Sequence, residues 1–321
     1  MDDLTWLLDS DEPWTRFRAL ADLLARPASD PRAVSAKSDL VAHPQVRALI
    51  ATASKWGTIP LKRHNDAAHP IYAISTLADF GLRADDPGMD KVIAKILAHQ
   101  SPEGAFQTVV NIPTVFGGTG EDAWTWIACD APTLLYSLLA FGLGDDPRVK
   151  KAVAHLAGLV EENGFRCVAT KELGKFHGPG RRADPCPVVN VYALKALALV
   201  PGQRKGKAAR AAAEMLLDQW EHRKEKKYYL FGMGTNFKKL KYPFVYFDIL
   251  HVLEALSRLP FVHADPRYQE MLATVTAQAD AQGRFTAGSM YQSWKGWSFA
   301  DKKNPSPWLT MVVRRLEKRS G

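Results

Sequence analysis

DPGMDKVIAKILAHQSPEGAF (residues 86–106) decides the fold when set beside DPRVKKAVAHLAGLVEENGF (146–165) and DPRYQEMLATVTAQADAQGRF (265–285). Each stretch begins with Asp-Pro, runs through an amphipathic segment and closes on Gly and Phe: Gly104-Ala105-Phe106, Gly164-Phe165 and Gly283-Arg284-Phe285. Asp86 and Asp146 lie 60 residues apart, and so do Gly104 and Gly164; the step to the third copy is 119 residues for both marks. Two marks that move together indicate one supersecondary unit, repeated. The double step predicts a degenerate copy near residue 205. Lys205 to Trp220 fills it, with an Ala/Leu face opposite Lys, Arg and Glu.

A second set of helices is predicted at the same period, offset from the first. It opens at His69-Pro70, Asp130-Ala131-Pro132, Cys186-Pro187, Tyr242-Pro243 and Ser306-Pro307. These segments are apolar nearly all round, as in TLLYSLLAF (133–141), and a helix apolar on every side is buried on every side. The Asp-Pro helices carry one charged face and belong outside, with the aspartate as N-cap and proline at the first helical position. Inner and outer helices in alternation predict an all-α chain, an α/α toroid with a cavity at its axis and little strand. Residues 1–56 read as an N-terminal helical extension of three helices, starting near Pro13, Pro31 and Pro44, and residues 57–321 as the toroid, the two forming one continuous domain. The long loops 107–128, 166–185 and 221–242 lead into successive inner helices and are expected to gather at one mouth.

The chain has 321 residues, 46% of them apolar, enough for a substantial core, and a formal net charge of +8. No apolar run approaches the roughly 18 residues of a membrane span, and the first residues lack the basic and apolar regions of a secretory leader. Cys129, Cys167 and Cys186 are odd in number and far apart in sequence, which fits a cytoplasmic setting better than a disulfide scaffold. The basic excess suits an anionic ligand, a nucleic acid or a membrane surface, or simply solubility. Lys224, Lys226, Lys227, Lys238, Lys239 and Lys241 alternate with Tyr228, Tyr229, Phe231 and Phe237. That mixture reads as a surface insert rather than a nucleic-acid site. The oligomeric state is left open.

QSPEGAF (100–106), EENGF (161–165) and QGRF (282–285) resemble the glycine-and-aromatic motif that follows each outer helix in the terpenoid cyclase and protein prenyltransferase β-subunit superfamily. The resemblance spans roughly residues 57–316. It implies squalene cyclase-like toroid repeats and an enzyme acting on a largely apolar, isoprenoid substrate with a polar or anionic end. GRRADPC (180–186) is similar to the basic loop and Asp-x-Cys of protein prenyltransferases. By that resemblance Asp184 and Cys186 would hold zinc, with Asp248 or His251 as third ligand, and Arg181 would contact a diphosphate. The chain departs from the pattern in having Asp248 where the family has His, and Pro187 after the Cys. It also lacks the Asp-x-Asp-Asp motif of protonating cyclases. Glu121-Asp122, beside Trp124 and Trp126, is the acidic pair of a long loop and a candidate general acid.

Candidate catalytic residues are therefore Asp130, Asp184, Cys186, Asp248 and His251. Candidate lining residues near the inner-helix starts and in the aromatic run 290–299 are Tyr72, Trp126, Asn190, Tyr192, Tyr246, Trp294 and Trp308. Each has a plainer counterpart. Asp130 and Asp184 suit N-caps, whereas Asp248, several residues inside a helix begun at Pro243, suits a cavity wall. Cys186 suits a small buried apolar group, His251 a core histidine, and His64 and His177 solvated loop positions. Two other functions stay open. A cavity rich in carboxylates and His would suit a lyase or hydrolase on a polar substrate. A ring axis filled by bulky groups would suit a non-catalytic module that binds a hydrophobic ligand or a protein.

Overall fold

The computed structural model describes residues 3–176, 178, 181–225 and 231–321. Its helices are α1 (Asp3–Leu8), α2 (Pro13–Arg18, continued by a π-helical turn over Ala19–Leu23), α3 (Pro31–Ala42), α4 (Pro44–Ala53), α5 (Pro70–Phe80), α6 (Met89–Ala98), α7 (Ala131–Ala140), α8 (Pro147–Gly158), α9 (Pro187–Leu197), α10 (Lys207–Glu221), α11 (Thr235–Lys238), α12 (Ile249–Leu256), α13 (Pro266–Thr276) and α14 (Pro307–Ser320). The strands are short: β1 (Thr108–Val110) pairs antiparallel with β2 (Ala123–Thr125), and β3 (Val160–Glu161) with β4 (Gly164–Phe165). The protein is all-α in class. No helix among the described residues is long and apolar enough to cross a membrane.

Every residue of α5, α9 and α12 is buried. By contrast α6 buries Met89, Val92, Ile93 and Ile96, α8 buries Val149, Ala152, Val153 and Leu156, and α13 buries Tyr268, Met271, Leu272 and Val275. That is the same i, i+3, i+4, i+7 stripe three times, as one packed helix face requires. The central helices pack in order, α5 on α7, α7 on α9, α9 on α12 and α12 on α14. The circuit returns through α2, which touches both α14 and α5. The N-terminal region holds four α-helices rather than three, because the short α1 precedes α2 and docks on α14.

Two helix starts differ from the expected ones. Asp146 and Asp265 cap α8 and α13, accepting from the N–H groups of Arg148 and Arg267. Asp86 does not cap α6, which begins at Met89 behind Gly88. Its carboxylate accepts instead from the Arg83 N–H at 2.6 Å and the Lys37 ammonium at 2.5 Å. Likewise α12 begins at Ile249, not at Pro243, because Asp248 is its cap and accepts from the His251 N–H at 3.0 Å.

Two of the Gly-x-Phe marks clasp their unit to the next central helix. Phe165 N–H donates to Asn190 Oδ1 on α9 at 2.9 Å, and Asn190 Nδ2 donates back to the Phe165 carbonyl at 2.9 Å. In the last unit Thr310 Oγ1 accepts from Phe285 N–H at 3.0 Å. Gly164 makes this approach possible. Its φ is +104°, and a Cβ there would sit 2.6 Å from Asn190 Oδ1, so any side chain would be both strained and blocked.

Toward the C-terminal ends of the central helices, charged groups meet in the core. Lys195 of α9 reaches Asp79 of α5 at 3.2 Å and lies 4.1 Å above the Tyr136 ring of α7. Glu254 of α12, with no exposed surface, accepts from Arg258 at 2.6 Å and from Arg315 and Arg319 of α14 at 3.1 Å each. Burial pushes the Glu254 carboxyl up, but Arg315, Arg319 and Arg258 outweigh it and hold it well below the usual range. Removing the one carboxylate would leave Arg258 and Arg319 without an acidic partner among the described residues and Arg315 with Asp22 alone. We expect Glu254→Gln to cost about 3–5 kcal/mol, the scale for breaking a buried charge cluster. Denaturant unfolding measures it, and a loss no larger than a surface pair's would refute this role.

Candidate active site at the N-terminal ends of the central helices

Asp130 sits where α7 starts, yet its side chain makes no capping bond. Its Oδ1 lies 2.9 Å from His64 Nδ1, and its Oδ2 is buried without a protein partner. An aspartate that leaves the cap and turns a free oxygen inward is set up for something other than helix termination. His64 is held over it by the Tyr72 hydroxyl, which donates to the His64 carbonyl. Burial disfavours a charged His64, but the Asp130 carboxylate and the nearby Cys186 sulfur outweigh burial and raise its pKa. His64 was expected to be a solvated loop residue. The structure instead tucks it against a buried carboxylate.

The same neighbourhood holds four phenols and three thiols. Burial, then the Asp130 charge, pushes Tyr72 well above the ordinary phenol range. Tyr192 is raised likewise by burial and by Tyr72, and its hydroxyl donates to the Val245 carbonyl at 2.6 Å. Tyr246 is raised by burial and then by Cys186 and Cys129. Tyr291 is raised by burial and then by Asp248, and its hydroxyl has no protein partner. Cys129 and Cys167 approach to 3.7 Å between sulfurs, and Cys186 interacts with both. Those two thiols, followed by N–H groups of the first turn of α9, hold Cys186 well below the usual thiol range.

Asp248 and His251 lie at the start of α12. Asp248 Oδ1 caps the helix, and Oδ2 is buried without a protein partner. Burial pushes its pKa up to about 6. His251 Nδ1 donates to the Tyr246 carbonyl at 2.7 Å, its ring stacks on Phe244 and meets Tyr192 edge-on, and Nε2 has no protein partner. Burial, followed by Lys195, pushes it down to about 3, so the ring is neutral at physiological pH.

Other expected site residues lie elsewhere. Arg181 and Asp184 form an exposed pair with each other at 3.4 Å. No three of Asp184, Cys186, Asp248 and His251 bring ligand atoms within 4.8 Å of one another. With Asp184 tied to Arg181, and Asp248 and His251 bonded to backbone, this set does not fit a zinc ion. The Asn190 amide is held by the clasp on Phe165, with a third bond to the Cys186 carbonyl. Trp126 packs against His155 at 4.8 Å beside a small void. Trp294 donates to the Ala67 carbonyl and lines a separate surface recess with His69. Trp308 lies fully buried between Phe80 and Tyr242. Glu121 and Asp122 are exposed, and Trp124 stacks on His99, so that acidic pair is not held among aromatics. His177, Gly180, and the Lys226, Lys227, Tyr228 and Tyr229 part of the basic insert lie outside the described residues. From the rest of that insert, Lys241 reaches the site, 4.9 Å from the Tyr291 ring.

A recess of about 260 Å³ opens at this end, walled by Lys62, Arg63, His64, Phe116, Phe176 and Tyr246. The strongly exposed Phe116 lines it from the loop between β1 and β2, and exposed Val115 precedes it in the chain. His64, Lys62 and Arg63 had no sequence mark. The loop that carries them is outside the repeat, and its fold-back over Asp130 depends on tertiary packing.

No protein-family model matches the chain, and no curated protein matches it. Among solved structures the chain is similar to a protein from Actinoplanes, at 12% identity over 96% of this chain and 90% of that one, with a TM-score of 0.43. It is also similar to a variant of the type II terpene cyclase MstE from Scytonema, in complex with geranylgeranyl dihydroxybenzoate, at 12% identity over 96% and 87% of the two chains and a TM-score of 0.43. A second variant of that cyclase, with the same compound, gives 13% identity, 95% and 85% coverage and a TM-score of 0.44. These likenesses are distant in both sequence and superposition.

Asp248 and His251 oppose each other in pH dependence. Between 3.8 and about 6 the folded Asp248 keeps a proton that the unfolded one has lost, so its contribution to stability falls as pH rises. Between about 3 and 6.5 the unfolded His251 is charged while the folded one is neutral, so its contribution rises with pH. In the wild type the two slopes largely cancel where the windows overlap. Asp248→Asn keeps a capping side chain and leaves the His251 slope uncovered, up to about 1.4 kcal/mol per pH unit. Urea midpoints across that range measure it. Equal slopes in variant and wild type would contradict the assignment.

Proposed function

We propose that the chain is an α/α-toroid enzyme that binds a short, largely apolar, isoprenoid-like substrate with an anionic end and opens its reaction by proton transfer from Asp130. The closed circuit of central helices, with amphipathic helices packed outside it, supports the toroid. The free Oδ2 of Asp130, opposite the His64 bond on Oδ1, carries the catalytic reading.

Asp130 would first take a proton from solvent on Oδ2, giving up the charge that pairs with His64, and present it there while His64 Nδ1–H donates to Oδ1. As the proton leaves for a carbon–carbon double bond, that hydrogen bond stabilises the carboxylate that forms. The cationic carbon left behind would face aromatic side chains, whose ring faces attract positive charge. Loss of a proton from a neighbouring carbon to Asp248 Oδ2 would end the sequence. One proton enters and one leaves, so the net change is redox-neutral isomerisation or cyclisation. Lys62 and Arg63 at the recess would take the anionic end. At about 260 Å³ the recess is near the small end of ligand pockets, which supports a short substrate.

One observation favours a second reading. The far end of the central helices is filled by Asp79, Lys195, Glu254 and Arg315, which suits a module that binds a ligand at the mouth without converting it. Incubation with short isoprenoid diphosphates and isoprenoid carboxylates, followed by product analysis, separates the two. The enzyme reading expects turnover that falls about 10²–10⁴-fold in Asp130→Asn, the usual worth of a general acid, with substrate binding retained. Binding without product in the wild type would favour the module, and full turnover in Asp130→Asn would remove Asp130 from the chemistry.

A further inference from the structure

Four arginines and two carboxylates run as one chain of ion pairs at the end of the molecule away from Asp130. Arg18 meets Asp22 at 2.8 Å, Asp22 meets Arg315 at 3.1 Å, and Arg315 meets Glu254 at 3.1 Å. Glu254 also meets Arg258 at 2.6 Å and Arg319 at 3.1 Å. None of these side chains is more than 23% exposed. Four positive charges against two negative ones leave two in surplus. The adjoining Lys195–Asp79 pair is neutral and offsets nothing. Nor do the helix ends, whose orphan carbonyls favour cations. Those carbonyls have cations of their own: Gly81 O accepts from Lys37, Ala140 O from Arg83 and Ala198 O from Arg204. Surplus charge in a desolvated place is costly until an anion compensates it.

Arg18 and Arg258 end this chain, and each keeps a buried Nε with no protein partner. Both also wall a recess of about 710 Å³ between α2, α3 and the C-terminal ends of α5 and α7. Its lining includes Lys37 and Arg83 and, among the described residues, no carboxylate. The basic groups converge on the corner at Gly81. A Cβ there would lie 3.3 Å from Arg18 Cδ, and Lys37 Nζ is 2.8 Å from the Gly81 carbonyl oxygen. Lys37 is balanced by Asp86 at 2.5 Å, so Arg18 and the exposed Arg83 are the cations left to a ligand at this corner. Phe17, Val34, Leu139 and Leu199 make the remaining wall apolar.

We propose that this recess binds a small phosphate monoester, its phosphate at the Gly81 corner beside Arg18 and Arg83 and its short apolar part on Phe17, Val34, Leu139 and Leu199. Guanidinium forks match phosphate oxygens. A phosphate monoester, with its second pKa at about 6, carries close to two negative charges at neutral pH, which equals the surplus. The recess volume falls within the usual range of small-molecule sites, roughly 300–1,000 Å³, so it can hold a whole small ligand. The site lies at the opposite end of α7 from Asp130 and is independent of the proposed proton transfer.

Calorimetric titration with inorganic phosphate and with butyl phosphate, at an ionic strength fixed by chloride, tests the assignment. Both should bind, and butyl phosphate should bind tighter by about 4-fold for each methylene that reaches the apolar wall. Arg18→Gln should weaken binding about 10-fold or more, the scale of one lost charge-assisted hydrogen bond. Arg83→Gln should weaken it as well, and because Arg83 is exposed that variant still reports should Arg18→Gln fail to fold. Arg63→Gln, at the mouth, should leave this binding unchanged. The proposal falls if phosphate gives no more heat than chloride, if butyl phosphate binds no tighter than phosphate, or if binding survives both Arg18→Gln and Arg83→Gln. Loss of all binding in Arg63→Gln would also overturn it, by placing the phosphate at the mouth.

Discussion

Glu254 and the arginines around it hold the central helices to one arrangement. A buried carboxylate with three guanidinium partners fixes α12 against α14, and Arg315 carries the connection on to Asp22 beside α2. Asp79 and Lys195 do the same for α5 and α9, with Tyr136 of α7 between them. Apolar packing alone is tolerant of small rotations and slides. A desolvated charge is not, because a partner moved by an ångström leaves an uncompensated ion in a low-dielectric interior. The network therefore sets the relative height and rotation of the helices whose other ends carry the site.

That division gives the two ends of the same helices different characters. At one end the charged groups are paired with one another. At the other, Asp130 Oδ2, Asp248 Oδ2, His251 Nε2 and the Tyr291 hydroxyl are buried with no protein partner. Buried polar groups are rarely left so, and these four come from the starts of α7 and α12 and from the segment between α13 and α14. The aspartates at helix starts make the contrast sharper. Asp146 and Asp265 are committed to backbone N–H groups on the outside, Asp248 shares itself between cap and interior, and Asp130 is turned wholly inward.

Most of the architecture was legible in the sequence because it is periodic. Asp-Pro, Gly-x-Phe and the two kinds of helix recur, and a repeated unit must repeat its packing. The misplaced starts fall where local signals compete. Pro243 looked like a first helical residue, but the Asp248 carboxylate satisfies the N–H groups that begin α12. Asp86 looked like a cap, but Arg83 and Lys37 claim it. The site was less legible. Asp130, Asp248, Tyr72 and Tyr246 could be picked out because they stand at helix starts. The partner that makes Asp130 unusual, His64, lies in a loop without pattern. The three cysteines were visible as residues, but their meeting depends on isolated backbone bridges between long loops, which leave no periodic trace. Arg181 and Asp184 misled because a short motif was read without the fold that would aim it.

The return of the circuit through α2 has a consequence for how the chain is made. A ribosome releases α2, α5, α7, α9 and α12 before α14, yet α14 supplies both the contact that joins α12 to α2 and the arginines that neutralise Glu254. Until those residues emerge, the nascent chain carries an open row of apolar helices, and the Glu254 carboxylate at its growing edge has Arg258 but not the other two arginines. The circuit of central helices can close only once α14 has emerged. Until α14 emerges, the protein is thus exposed to whatever in the cell attends to unfinished hydrophobic surfaces.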